Sequence, residues 1–174
     1  MKTVLFAGVA LAVATMAAGQ DRASRSSGSA DIDFVLAAAQ GGMAEVEIGK
    51  LAADHAKSDE VKRFGQRMVD DHSKGGDQLK SLAQAKGIAL PGELTPKDKA
   101  LRQRLERLNG DAFDRAYMRA MVTDHQKDVS EFRHESRDGR DPQVKAWATG
   151  ILPTLEDHLK MAKMTKGTPA AAGN

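Results

Sequence analysis

Four long stretches of this chain each carry one apolar stripe at helical spacing, and the breaks between them are short and sharply punctuated. The first begins after Asp31, with Phe34, Ala38, Gly41, Glu45, Ile48, Ala52 and His55 on one face. It stops near Lys57, where Ser58 can cap a second helix that starts at Asp59. That helix has Val61, Phe64, Met68, His72, Gly75, Leu79 and Leu82 as its stripe, and Gly87 suits its left-handed end. The linker Ile88 to Leu94, with Pro91-Gly92, is not helical. Thr95-Pro96 then supplies an N-cap and a first-turn proline for a short helix edged by Leu101, Leu105 and Leu108 and ended by Asn109-Gly110. A further helix runs from Asp111 toward Asp138, with Met118, Met121, Val122, His125, Val129 and Phe132 inward, and Gly139 ends it. Asp141-Pro142 opens the last, whose stripe is Val144, Ala148, Ile151, Leu155, His158 and Ala162. Pro153 interrupts it, and an interior proline usually kinks a helix, here either to wrap it round the core or to aim His158 inward.

Four long helices and a short connector predict an all-α fold, a four-helix bundle with an extra helix in its crossover. The first two long helices must be antiparallel neighbours because almost no loop separates them, and so must the last two. Returning along the second helix needs about 40 Å, which the 23 residues from Ile88 to Gly110 can span. The second and third long helices can therefore run parallel; an up-down-up-down order is the alternative.

The ends of the chain differ from this middle. Lys2 and the apolar run Val4 to Met16, followed by Ala17-Ala18-Gly19, read as a secretory signal over residues 1–19, with Thr15-Met16-Ala17 as the other cleavage site. About 155 residues would then remain, enough for one domain. Ser-, Gly- and Arg-rich residues 20–30 and the tail 167–174 are expected to be disordered, leaving the bundle over 31–166. A periplasmic or secreted location follows, with no transmembrane segment in the mature chain. Cysteine is absent, which excludes disulfides, thiolate ligands and cysteine nucleophiles. The 26 basic and 24 acidic residues nearly balance, aromatics are few, and no basic block stands alone, so nucleic acid is not an expected partner. A second copy of the chain or an envelope protein suits these helices better.

One short motif occurs twice, as Met68-Val69-Asp70-Asp71-His72 and Met121-Val122-Thr123-Asp124-His125. Each copy puts a histidine on the apolar stripe, where it needs a hydrogen-bond partner, a charge or a metal. Glu45 and His72 lie nearly equidistant from the turn at Ser58 and could meet. His125 and His158 differ by about one turn in height. The two hairpins also echo one another: Val61-Lys62-Arg63-Phe64 matches Val144-Lys145-Ala146-Trp147. Glu45 and His72 sit 16 residues before and 11 after Val61, and His125 and His158 sit 19 before and 14 after Val144, as in a duplicated hairpin with a shifted polar layer.

One carboxylate and three imidazoles (Glu45, His72, His125 and His158) are a candidate ligand set for zinc, copper or iron. Asp71 and Asp124 could add ligands or orient imidazoles. The same Asp and His residues could equally be interhelical hydrogen-bonders that fix register without metal. Glu131-x-x-His134 has the spacing of carboxylate di-iron bundles, but Phe132 between them is a core position, so His134 should face solvent. Met68, Met121 and Met161 share a face with the histidines, yet methionine on a stripe is more often core filler. No phosphate loop or nucleophile elbow is present, which favours a non-enzymatic protein.

Asp33-Phe34, Gly42-Met43-Ala44-Glu45-Val46-Glu47, the paired Met-Val-x-Asp-His motifs, Phe113-Asp114-Arg115-Ala116-Tyr117 and His158-Leu159 together resemble a bacterial family, domain of unknown function 4142, from about Asp31 to Lys166. The resemblance implies a ferritin-like four-helix bundle in an exported protein, and no established activity. The inward Glu-x-x-His of di-iron ferritins is missing from the second and last helices, which speaks against iron storage and oxygen activation. Two functions remain: a bundle that sequesters or senses a transition metal through its Glu/His layer, or a non-catalytic envelope or stress-associated module without metal. A metal-dependent oxidoreductase would in addition need an open coordination position.

Overall fold

The structure, a computed structural model, describes the backbone of residues 14–167 and the side chains of residues 30–166. The proposed signal over 1–19 lies largely outside the described residues, as does the tail from Thr168. Five helices account for the fold: α1 (Ala14–His55), α2 (Asp59–Lys86), α3 (Pro96–Glu106), α4 (Gly110–Asp138) and α5 (Pro142–Gly167). All but one of the boundaries fall within a few residues of the sequence punctuation. The exception is the start of α1, which lies at Ala14 rather than after Asp31, so the helix takes in the backbone of residues 20–30. Once the packed body of a helix is nucleated, each further residue adds a hydrogen bond, and 20–30 holds no proline to stop it.

The caps behave as their residue types dictate. Ser58 Oγ accepts from the Glu60 N–H at 3.2 Å, and Thr95 Oγ1 accepts from the Asp98 N–H at 3.1 Å ahead of Pro96. Asp141 Oδ1 accepts from the N–H groups of Gln143 and Val144, so α5 is capped at its proline-led start. Gly87 takes the left-handed conformation (φ 68°), and the Ile88 N–H donates to the Ala83 carbonyl, which closes α2 in a Schellman pattern. Helix α5 runs unbroken through Pro153.

Polar contacts at the bundle ends establish the topology. The turn between α1 and α2 meets the start of α4: the backbone N–H groups of Lys57 and Ser58 donate to Asp114 at 3.1 and 2.9 Å. At the opposite end the Asp31 carboxylate accepts from the N–H groups of Arg140 and Asp141 in the turn between α4 and α5. Helix α1 therefore runs antiparallel to α4. Because α1–α2 and α4–α5 are tight antiparallel hairpins, α2 and α4 run parallel. The neighbouring pairs are α1 with α2 and α4, and α5 with α2 and α4, so α2 and α4 stand diagonally opposite. The segment from Ile88 to Asn109 is the return crossover, and its helix α3 packs outside the bundle on α1 and α4 through Leu105. This is the ferritin-like order.

The apolar core lies in two halves. One contains Ile48, Phe64, Met68, Phe113, Tyr117 and Met121; the other is built from Val35, Leu79, Val129, Phe132 and Leu155. Within the first half α1 and α2 close tightly around two glycines. A Cβ on Gly65 would stand 2.3 Å from Ala52 Cβ, and one on Gly49 would stand 2.9 Å from the Gly65 carbonyl oxygen. Helix-interior glycines elsewhere have open space, as at Gly76, where a Cβ meets nothing within 4 Å. Gly65→Ala should therefore destabilise the protein by roughly 1–3 kcal/mol through overpacking, whereas Gly76→Ala should stabilise it by roughly 0.5–1 kcal/mol. Urea unfolding midpoints of the two variants check both signs.

Candidate metal centre

Glu45, His72, His125 and His158 come from four different helices and meet in one layer between the two halves of the core. The equal heights estimated for Glu45 and His72 bring that pair together, and the one-turn offset estimated for His125 and His158 does not keep their rings apart. His72 Nδ1 lies 2.9 Å from Glu45 Oε2 across α1–α2, and His125 Nε2 lies 3.3 Å from His158 Nδ1 across α4–α5. The bundle then brings the two pairs together. Ring centroids are 5.6 Å apart for His72 and His125, 5.3 Å for His72 and His158, and 5.3 Å for His125 and His158. Glu45, His125 and His158 are fully buried, and His72 retains a narrow exposed edge.

The hydrogen bonds assign a role to each ring nitrogen. His72 Nδ1 faces the Glu45 carboxylate. His125 Nδ1 lies 3.0 Å from the Met121 carbonyl oxygen and 3.2 Å from Glu45 Oε1. His158 Nε2 lies 2.8 Å from Asp71 Oδ2. A carbonyl and an ionised carboxylate can only accept, so in each pair the histidine nitrogen carries the proton. The opposite nitrogens are then bare in the neutral rings: His72 Nε2, His125 Nε2 and His158 Nδ1. His72 Nε2 is buried with no hydrogen-bond partner. His125 Nε2 and His158 Nδ1 point at one another with no proton to share. One ligand nitrogen from each of the three rings lies within 4.8 Å of those of the other two.

Electrostatics keep two of these rings neutral. Burial lowers the His125 pKa, with the nearby His72 acting in the same direction. Burial also pulls His158 down to about 4, with His72 and His125 adding to it against the pull of Asp71. At His72 burial opposes the charge, but the Glu45 carboxylate outweighs it and raises the pKa. Burial likewise opposes the Glu45 charge, and the three imidazoles together hold the carboxyl below its usual range. Asp71 is half-buried, and its hydrogen bonds from His158 and Arg67 hold it ionised against the cost of its burial.

Asp71 thus supports an imidazole, but it is that of His158 on α5, not the adjacent His72. Asp124 takes a different place from its counterpart in the repeated motif. Its carboxylate stands with those of Glu45 and Asp128, one oxygen of each within 4.8 Å of the others. Asp128 was not among the sequence candidates. Its spacing of four residues from Asp124 and three from His125 was the available signal, since these share one side of a helix. Burial drives the Asp128 pKa up to about 8, with Glu45 and Asp124 adding to it, and burial with Glu45 raises Asp124 to about 6 against Lys127 and Lys97. The remaining sequence candidates lie outside the cluster. His134 is exposed and paired with Asp138, while Met68 and Met121 are buried in the core. His55 Nδ1 donates to the Leu108 carbonyl at 2.8 Å, which ties the end of α1 to the end of the crossover.

The sequence matches the family model for DUF4142, a domain of unknown function, over residues 14–165. The chain belongs to this family. No curated protein matches it. Similar solved structures include a DUF305 fragment from Deinococcus radiodurans, at a TM-score of 0.70 and 16% identity, covering 79% of this chain and 95% of that one. A DUF305 protein from Streptomyces coelicolor is similar at a TM-score of 0.65 and 17% identity, over 76% of this chain and 88% of the other. CopM in its Cu(II)-bound form is similar at a TM-score of 0.67 and 16% identity, over 78% of this chain and 95% of that one. At these identities the likeness is one of fold.

The Asp128 carboxyl gives a pH dependence with a definite sign. Its folded pKa of about 8 lies above the ordinary value of 3.8, so between the two the folded state holds a proton that the unfolded state has released. The resulting stability is complete below the lower value and is lost as pH rises through the upper one. Asp128→Asn should therefore raise the thermal midpoint more at about pH 9 than at about pH 5. Melting curves of both proteins at the two pH values check this, and a pH-independent difference would contradict it.

Proposed function

We propose that DUF4142 domains with this histidine layer bind a transition-metal ion, held by His72 Nε2, His125 Nε2 and His158 Nδ1. The observation that carries the reading is the 3.3 Å approach of His125 Nε2 to His158 Nδ1, on two rings whose other nitrogens face acceptors. Two lone pairs in that arrangement repel unless a cation lies between them. Two nitrogens each about 2.0–2.1 Å from one tetrahedral ion stand roughly 3.3 Å apart, so the observed spacing suits a shared ion. Glu45, the Met121 carbonyl and Asp71 occupy the far nitrogens, and such partners fix the tautomer and strengthen an imidazole ligand. In this reading Glu45 orients two ligands, and Asp71 orients the third.

Imidazole ligands suit copper, zinc and iron. Copper is the first ion to test, because the similar CopM structures are described as Cu(I)-, Cu(II)- and Ag-bound. Three buried ligands and no nucleophile motif favour holding or sensing the ion over turning over a substrate. The competing reading, a layer of structural hydrogen bonds, is favoured by the fact that each imidazole already has one satisfied nitrogen.

Untagged protein analysed for bound copper, zinc and iron, with calorimetric titration of each, should show one ion per chain. A His72→Ala/His125→Ala double variant should lose it while circular dichroism still reports the helical fold. Wild-type protein that takes up none of the three ions would leave the layer as a structural network. We also infer export, supported by the signal pattern over residues 1–19. N-terminal sequencing of protein recovered from the cell envelope should then start at Gln20.

A further inference from the structure

A cleft of about 840 Å³ opens beside the histidine layer, between α1, α2 and α5, with the first residues of the crossover along one wall. Five helix-interior glycines line it: Gly41 and Gly42 of α1, Gly75 and Gly76 of α2, and Gly150 of α5. Glycine inside a helix is costly relative to alanine, and Gly49 and Gly65 justify that cost by letting two helices touch. The cleft glycines have no such reason. A Cβ at Gly41 or Gly76 would meet nothing within 4 Å; at Gly42 the nearest atom is His72 Nδ1 at 3.9 Å, and at Gly75 it is Ile151 Cδ1 at 3.6 Å. Their effect is to keep side chains out of the cleft. The volume lies within the range of small-molecule sites.

The walls specify the occupant. Leu79, Ile88, Leu90, Phe132 and Trp147 make one part apolar, while Glu45, Asp71 and Asp128 stand at the end beside His72. Over the whole cleft five carboxylates face two lysines. An anion would meet like charge there, whereas the ionised Asp71 and the Glu45 Oε1 atom, buried with no hydrogen-bond partner, suit a donor that brings positive charge. We propose that the cleft binds a small amphipathic amine, its apolar body against the Phe132 and Trp147 side and its ammonium group toward the carboxylates at the inner end. The site is distinct from the three imidazole nitrogens and does not require a metal.

Trp147 is the only tryptophan in the chain and lines the cleft, so its fluorescence reports occupancy. The probe is dansylcadaverine, a naphthalene-bearing primary amine, compared with its uncharged N-acetyl form and with anionic dansylglycine. Energy transfer from Trp147 should saturate at one amine per chain, with the amine bound at least about tenfold more tightly than either analogue. Equal affinity for the three probes, or no transfer, would overturn the proposal without any variant. Gly41→Leu/Gly76→Leu should fill the cleft and abolish transfer, with a thermal midpoint at or above that of the wild type. Undiminished transfer in that folded variant would place the probe elsewhere and also overturn the proposal. Copper uptake by the same variant is measured in parallel. Retained copper with lost amine binding separates the cleft from the metal centre, and amine binding by a protein that takes up no copper leaves the cleft assignment standing.

Discussion

A carboxylate and three imidazoles buried at mid-height make the central demand on this bundle. Isolated, each would be strongly unfavourable in an apolar core. Together they are nearly satisfied: Glu45 faces two imidazoles, Asp71 holds the third, and the Met121 carbonyl completes the set. Each partner stands on a different helix or one turn away on the same one. A slip of one helix by a single turn, about 5.4 Å, would strand a buried charge, so the layer fixes helix register in a way that the surrounding leucines and methionines cannot. The same packing keeps the His125 and His158 rings neutral and turns one nitrogen of each toward the other at the bundle centre, which is where structure and proposed chemistry coincide.

The helix ends serve that layer. Asp31, Lys57 and Asp114 tie one hairpin to the other at opposite ends of the bundle. The crossover, anchored by Leu105 and the His55 bond to Leu108, sets the direction in which α4 must run. With α2 and α4 parallel, His72 and His125 face each other diagonally across the core. An up-down-up-down path would reverse α4 and could not make the Lys57 and Asp31 contacts at the two ends.

Glycine divides the α1–α2 interface into two regimes. Near Gly49 and Gly65 the helices approach until backbone meets side chain. About two to three turns further along, toward Gly41 and Gly76, the same residue type faces open space and the cleft reaches the edge of His72. The histidine layer is thus closed on the side of Phe64 and Tyr117 and approachable on the side of Phe132 and Trp147.

The fold was legible in the sequence because its signals are local. Ser58, Gly87, Thr95-Pro96 and Asp141-Pro142 act through their own backbone geometry and mark helix ends wherever the helices later pack. The convergence of Glu45, His72, His125 and His158 was legible for a related reason: stripe position and distance from a tight turn fix the face and height of a residue. The partners of those residues were not. Asp71 and Asp124 occupy equivalent places in one repeated motif, yet one bonds His158 and the other joins Glu45 and Asp128, because adjacent helices differ at the two positions. Asp128, the cleft, and the contrast between the two pairs of glycines likewise depend on what lies across an interface. Sequence by itself determined the elements, their ends and the residues that face inward, all governed by contacts within a few residues along the chain. Only the tertiary structure decided the topology, the proton-bearing nitrogen of each imidazole and the empty space beside them, because each is set by groups far apart in sequence.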